Sequence, residues 1–295
     1  MLTPHNTIRF VLFGTPEPAV EILEALCAAG FAPAFVVTSP DRPKGRNLEL
    51  AQTPVKEWAA AHGIPSAEPT NLTDPALHEQ LRTLNADVFV VVAYGAILPR
   101  ELLRIPKRGA LNVHYSLLPK YRGASPVESQ ILADDREVGV SILLLDEKMD
   151  HGPLVVQERV PIDDWPPTAI DLRRKSNAVA GKLLVGILPD WVVGRRQATP
   201  QDHSKATYTR KFTARDREIR LEDDAYKNFL KIQALSAWGT YFFADAAEKK
   251  IRVRIKSAEF KDGRFILKRV VPEGRKEMSY DDFLRGIRCL TPKIQ

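Results

Sequence analysis

The chain has little cysteine and no long apolar run. Its two cysteines, Cys27 and Cys289, stand far apart in 295 residues, and two isolated thiols build neither a disulfide scaffold nor a metal-ligand spacing. Both are expected to be reduced and structural. The six histidines (5, 62, 78, 114, 151 and 203) are scattered without ligand spacing, so no metal is expected. No stretch approaches the roughly 20 apolar residues that span a bilayer. The first apolar run, Ile8 to Phe13, is broken by Arg9, ends at Gly14-Thr15-Pro16 and has no basic leader, unlike a secretory signal. A cytoplasmic protein with no membrane partner is expected, working as a monomer.

Nucleotide and hydrolase fingerprints are missing as well. Phe13-Gly14-Thr15-Pro16-Glu17 follows a strand and opens a helix, where G-x-G-x-x-G would stand. The pattern is absent and Pro16 removes a backbone donor, which argues against a nicotinamide dinucleotide site. A helix N-terminus still attracts an anion or polar group, so Gly14 and Thr15 are kept as candidate substrate contacts. No serine occupies a G-x-S-x-G elbow.

What is present is an ordinary folding chain, 44% hydrophobic and 27% charged, long enough for one large or two unequal domains. Apolar runs alternate with helical patterns through the first two-thirds. Strands are expected at Ile8 to Phe13, Ala34 to Val37, Asp87 to Ala93, Gly109 to His114, Val138 to Leu145 and Val155 to Val160. Helices are expected at Pro18 to Ala29, Pro54 to His62, Pro75 to Leu84 and from Pro126. This order predicts a Rossmann-like, doubly wound α/β domain with a mainly parallel sheet over residues 1–193. Residues 194–211, polar and without periodicity, are expected to form a linker. Residues 212–295 then supply a helix at Asp224 to Leu235 and strands at Thr240 to Phe243, Ile251 to Ile255 and Phe265 to Val271, which suit a small β-rich barrel of the OB type. Strict alternation in Ile251-Arg252-Val253-Arg254-Ile255 puts Arg252 and Arg254 on one face and the apolar side chains on the other. Trp238, Tyr241 and Phe243 are expected in the core.

The net charge of +6 fits either a polyanion partner or a soluble surface. Its distribution is uneven. From Ser204 onward there are 22 Lys plus Arg against 13 Asp plus Glu, a net of +9, leaving the first 203 residues at −3. Asymmetry of this kind points to nucleic acid or a membrane surface, and a solvated basic face fits it too.

One stretch carries chemistry. In Leu111-Asn112-Val113-His114, at the end of a strand, Asn112 and His114 lie two apart and so face the same side, toward the crevice where open α/β sheets bind ligands. An amide can hydrogen-bond a developing oxyanion without changing charge, and imidazole is the side chain that titrates nearest neutrality. An Asn capping a turn beside a satisfied core His fits the same three residues.

The following loop narrows this. Asn112-Val113-His114-Tyr115-Ser116-Leu117-Leu118-Pro119-Lys120-Tyr121-Arg122-Gly123-Ala124-Ser125-Pro126 resembles the signature of the formyltransferases that use N10-formyltetrahydrofolate. Asp150, before His151 and Gly152, lies 38 residues after Asn112, the spacing at which that family places its catalytic carboxylate. The resemblance implies catalysis by Asn112, His114 and Asp150 and 10-formyltetrahydrofolate as cosubstrate. Tyr94-Gly95-Ala96-Ile97-Leu98-Pro99 resembles the family's folate loop. That implies folate contacts from Tyr94, Ala96 and Leu98, from Ser116, Leu117, Leu118 and Pro119, and from Asp146 and Glu147. Tyr115 and His151 replace residues that are usually small at these positions, and His151 is read as a bystander.

The acceptor is read elsewhere. Asp41-Arg42-Pro43-Lys44-Gly45-Arg46 is similar to the acceptor-stem loop of formyltransferases acting on methionyl-tRNA, although Asn47-Leu48-Glu49 replaces a basic continuation. The resemblance implies initiator methionyl-tRNA as partner, met by Arg42, Lys44, Arg46, Arg122, Arg252 and Arg254. A nucleotide-linked amino sugar, or water in a hydrolytic relative, is the alternative acceptor.

Overall fold

The structure, a computed structural model, describes residues 8–44, 49–246 and 249–288. The chain separates into two compact units. The first comprises residues 1–126, 137–161 and 173–209, the second 127–136, 162–172 and 210–295.

The elements follow in order: β1 (Phe10–Gly14), α1 (Glu17–Ala28), β2 (Phe35–Val37), the hairpin β3 (Arg42–Lys44) and β4 (Glu49–Ala51), α2 (Pro54–His62), β5 (Ser66–Ala67), α3 (Pro75–Thr83), β6 (Val88–Val92), α4 (Arg100–Leu103), β7 (Ala110–His114), β8 (Arg122–Gly123), α5 (Pro126–Leu132), β9 (Gly139–Leu144), β10 (Leu154–Arg159), α6 (Ala169–Val192), β11 (Tyr208–Thr209), α7 (Ala225–Ala234), β12 (Tyr241–Ala246), β13 (Lys249–Lys261), β14 (Arg264–Pro272), β15 (Met278–Ser279) and α8 (Tyr280–Arg288). Helix starts follow local chemistry. Thr53 and Asp74 cap α2 and α3 by accepting the N–H of Lys56 and Ala76, and each helix carries Pro in its first turn, where no N–H is needed.

The first unit is built on a seven-stranded sheet in the order β10-β9-β7-β6-β1-β2-β5, in which only β9 is reversed, running antiparallel to both of its neighbours, β7 and β10. The chain winds outward from β1 through β2 to β5, then crosses to β6 and winds the other way. The strand order therefore reverses between β1 and β6, the place where open α/β sheets form a ligand crevice. Val11, Phe13, Phe35, Val37, Phe89 and Val91 share one buried face with Leu77 and Leu81 of α3. Phe10, Leu12, Val36, Val88 and Val90 occupy the opposite face and are also buried. Strands hidden on both sides read as continuous apolar runs, as β6 does. Each large side chain so buried contributes about 1.5–3 kcal/mol.

The segment expected to link domains is instead tied to this unit as far as Thr209. Leu154 and Thr199 exchange backbone hydrogen bonds of 2.8 Å each, and β11 pairs in parallel with β8. Helix α6, 24 residues long, was not among the expected elements.

The second unit holds an antiparallel sheet ordered β12-β13-β14-β15, with α7 and α8 packed on it. Phe242, Val253, Ile255, Leu267, Val270 and Phe283 form its core. Arg252 and Arg254 are exposed and Val253 and Ile255 buried, as the alternation requires. Among the described residues the sheet is four-stranded and antiparallel, the small β-rich unit expected of this region. No helix among the described residues is long and apolar enough to cross a membrane.

Candidate active site

β6 and β7 run parallel with Val92 beside Val113, so the loops after them emerge at the same sheet edge. β9 returns antiparallel on the far side of β7 and ends at Leu144, just before the 145–153 turn. These three connections bring Asn112, His114 and Asp150 together. Asn112 Nδ2 donates to Asp150 Oδ1 at 3.4 Å, and His114 Nδ1 lies 3.5 Å from Asp150 Oδ2. The Gly123 N–H donates to Asp150 Oδ2 at 2.7 Å. Both His114 and Asp150 are buried, while Asn112 is partly exposed.

Hydrogen-bond logic sets the imidazole. His114 Nε2 is 2.9 Å from the Tyr121 carbonyl, which can only accept, so Nε2 carries a proton. In the neutral ring Nδ1 then presents its lone pair beside Asp150. Protonation there gives a cation facing a carboxylate.

The backbone is strained where the site is built. Ala93, Tyr121 and Asp150 adopt φ values of 47°, 62° and 48°, a left-handed region that costs a non-glycine residue about 1–3 kcal/mol and persists only where neighbours impose it. Gly152 is required beside Asp150, because a Cβ there would stand 1.9 Å from the Leu144 carbonyl oxygen.

The loop after His114 is braced from beneath. Ser141 donates to the Ser116 carbonyl at 2.6 Å and accepts from the Leu118 N–H at 3.0 Å. Ser116, expected to face folate, is fully buried and its hydroxyl donates to the Lys120 carbonyl at 2.7 Å, so that side chain shapes the loop. Leu118 is buried, whereas Leu117 and Pro119 are half-buried.

On the other side lies the 93–99 loop. Tyr94 is buried edge-on to Phe13 at 5.5 Å, and burial pushes its hydroxyl up to about 12. Leu98 is buried with it, Ala96 is exposed, and Ile97 is 62% exposed. Arg100 Nε pairs with Glu147 at 2.9 Å, joining this loop to the turn that carries Asp150. Asp146 accepts the Lys148 N–H and pairs with His151 at 2.6 Å. Exposed Ile97 and Met149 give these two joined loops apolar surface. Thr15 Oγ1 reaches Ser39 Oγ at 3.0 Å and donates to the Tyr94 carbonyl at 3.3 Å, closing the β1–β6 crevice.

Two expectations are corrected. Arg122, expected to meet tRNA, is 1% exposed, and its guanidinium donates to Gln201 Oε1, His203 Nδ1 and Tyr208 Oη. A cation enclosed in this way cannot reach a phosphate. Trp238 and Phe243 are 46% and 42% exposed and Tyr241 is half-buried, so these rings are not core. Tyr241 and Phe243 flank buried Phe242 and alternate onto the face of Arg252 and Arg254, where the Arg252 guanidinium lies 5.5 Å from the Tyr241 ring and Lys250 lies 5.6 Å from Phe243. Arg42 and Lys44 belong to β3, of which only the backbone is described, and Arg46 lies outside the described residues with Cys289. Gly14 ends β1, where a Cβ would stand 2.7 Å from that of Ala19.

Sequence reasoning did not single out Gln201, Thr207 or Thr209. Their side chains and carbonyls brace residues 121–125 and 150–152. They come from a segment with no periodic signal, and the Leu154–Thr199 bridge and the β8–β11 pairing bring them in.

The family model described as Formyl transferase matches residues 7–188. A methionyl-tRNA formyltransferase of Methylococcus capsulatus is 36% identical, with 95% of this chain and 97% of that protein aligned. One from Chloroflexus aggregans is 46% identical over 72% of this chain and 68% of its own length. A solved methionyl-tRNA formyltransferase of Clostridium thermocellum shares the fold at a TM-score of 0.59 and 17% identity, covering 90% of this chain and 98% of that one. With the fold, the crevice and the Asn112–His114–Asp150 cluster in hand, these matches establish that the chain belongs to the formyl transferase family, alongside the methionyl-tRNA formyltransferases.

Proposed function

We propose that the chain transfers the formyl group of 10-formyltetrahydrofolate to the free amino group of initiator methionyl-tRNA, with Asn112, His114 and Asp150 at the reacting centre. The observation that carries this reading is the convergence of the Asn112 and His114 side chains of β7 on the buried Asp150 carboxylate of the turn after β9. The amine nitrogen attacks the formyl carbon, the carbon–N10 bond breaks, and the proton lost by the amine ends on N10. An unhindered α-amino group has a pKa of about 7.7–8.0, so an appreciable fraction is already nucleophilic near neutrality. The chain must therefore orient the reactants and stabilise the oxyanion.

Asn112 has two N–H donors and directs one to Asp150, leaving the second to meet the oxyanion. His114 Nδ1 is the ring nitrogen with a lone pair to take the amine's proton, and Asp150 offsets the charge that results. At a separation of 3.5 Å the imidazole and the carboxylate are close enough for their charges to interact directly. Ala96, Leu98, Asp146 and Glu147 frame the folate side. Residues 1–193 supply the chemistry, and residues 212–295 supply tRNA contacts through Arg252, Arg254 and the adjacent rings. The enzyme acts as a monomer in the cytoplasm.

The test incubates the protein with 10-formyltetrahydrofolate and charged initiator methionyl-tRNA, uncharged tRNA or a nucleotide-linked amino sugar. Formylation of the charged tRNA alone is expected. Asn112→Ala, His114→Ala and Asp150→Ala should each lower turnover by about 100-fold or more while the melting curve is retained. Near-normal turnover of His114→Ala would remove its assigned role, and formylation of the sugar alone would overturn the acceptor.

A further inference from the structure

Asp150 is held in a left-handed backbone conformation, and its carbonyl is gripped from behind. Gln201 Nε2 donates to the Asp150 carbonyl at 2.9 Å and to the Gly152 carbonyl at 2.7 Å, so one amide nitrogen spans the turn. The orientation of that amide is unambiguous. Its oxygen faces Arg122 Nε at 3.2 Å and Nη2 at 2.6 Å, and a guanidinium only donates. Gln201 is 6% exposed and Arg122 1%. Arg122 in turn precedes Gly123, whose N–H binds the Asp150 carboxylate. Adjacent residues of β8 thus fix both ends of Asp150, the carboxylate directly and the backbone through Gln201. Gln201 itself is anchored by the Leu154–Thr199 bridge on one side and by the Asp202 cap of the following turn on the other. It lies beyond residue 188, where the match to the family model stops.

We infer that Gln201 is a positioning residue for Asp150, holding the 150–152 turn against buried Arg122 so that the carboxylate meets Asn112 and His114. The inference rests on the catalytic reading of Asp150 given above. In Gln201→Glu the acceptor for Arg122 is kept while the donor becomes an oxygen facing two carbonyl oxygens. Displacing a reacting group by an ångström costs up to about a hundredfold in rate, so kcat should fall roughly tenfold to a hundredfold. KM for both substrates should stay within about twofold, because no substrate contact is removed.

The decisive comparison uses three full-length variants, Gln201→Glu, Asp150→Asn and the double variant. If Gln201 acts through Asp150, the double variant is no slower than Asp150→Asn alone. A residue with only a structural role would instead give a further, multiplicative loss, and that result overturns the inference. So does a Gln201→Glu enzyme with unchanged kcat, or with raised KM alone, while Asp150→Asn is inactive. Full activity of Asp150→Asn is a separate result, which sinks the catalytic assignment itself. Should Gln201→Glu lose its fold by thermal melting, Gln201→Met removes the donor without opposing like oxygens and enters the same comparison.

Discussion

At the residue scale, the site depends on which polar groups are already committed. His114 spends Nε2 on a carbonyl and keeps Nδ1 for Asp150. Arg122 spends its guanidinium on Gln201, His203 and Tyr208. His203 must accept from Arg122 through Nδ1, which requires the neutral ring. Partial desolvation, followed by the positive charges of His151 and Arg122, holds its pKa below 6.5, with Asp146 opposing and Lys148 adding to the shift. A depressed folded pKa means the unfolded chain binds the proton more readily. The stabilising contribution is therefore present above 6.5 and is lost as pH falls through the folded value. Melting midpoints measured from about pH 7.5 to about pH 5 should drop less in His203→Asn than in the parent chain. Equal slopes would show that this ring does not titrate with folding.

At the element scale, two short pairings organise the centre. β8 and β11 are two residues each, yet through them Thr207 and Thr209 brace residues 121–125. Gly123 sits at φ 112°, with Thr209 O only 2.6 Å from where a Cβ would be. The 145–153 turn is equally tight at Gly152. Gly152→Ala must move the β9 end or the turn itself, at about 1–3 kcal/mol for overpacking. The expected result is a lower melting temperature together with a loss of turnover exceeding that explained by unfolded enzyme, since Asp150 shifts with the turn. Unchanged kinetics in the folded fraction would show that the turn absorbs the methyl elsewhere.

Helix α6 shows why one element escaped sequence reading. Ala169, Leu172, Ala180, Leu184, Leu188 and Trp191 recur at helical spacing and are buried. Buried polar Ser176 and Asn177 interrupt the stripe, and Pro189 stands inside the helix near its end. The Asn177 side-chain N–H donates to Glu21 at 2.6 Å, a partner 156 residues away in sequence. Such a polar interruption reads as a boundary until its partner is known.

At the scale of the whole molecule, charge is segregated along the chain: −3 over the first 203 residues and +9 after them. Removing phosphate contacts weakens polyanion binding and flattens its salt dependence, by roughly 0.9 per contact in the slope of log K for duplex. Arg252→Ala with Arg254→Ala should therefore weaken tRNA binding and lower that slope by about one to two, as read by filter binding across salt concentrations. An unchanged slope would mean that these arginines face solvent in the complex. Formyl transfer to a small amine acceptor should be unaffected.

Local pattern alone determined the parallel core, because strands buried on both faces must be continuously apolar and helix starts are set by Thr53, Asp74 and the prolines beside them. It also determined the face of Arg252 and Arg254, since side chains alternate along any strand. Motif and spacing marked Asn112, His114 and Asp150. Tertiary structure decided the rest: that Arg122 is a buried tie, that Tyr241 and Phe243 lie on the exposed face, and that Gln201 reaches Asp150 from a segment expected to be a linker. The Arg122 and Gln201 outcomes depend on contacts between residues 51 to 86 positions apart, and that of Tyr241 and Phe243 on the register of β12 against β13; such contacts are set by how strands pair and turns close, not by the composition of either segment.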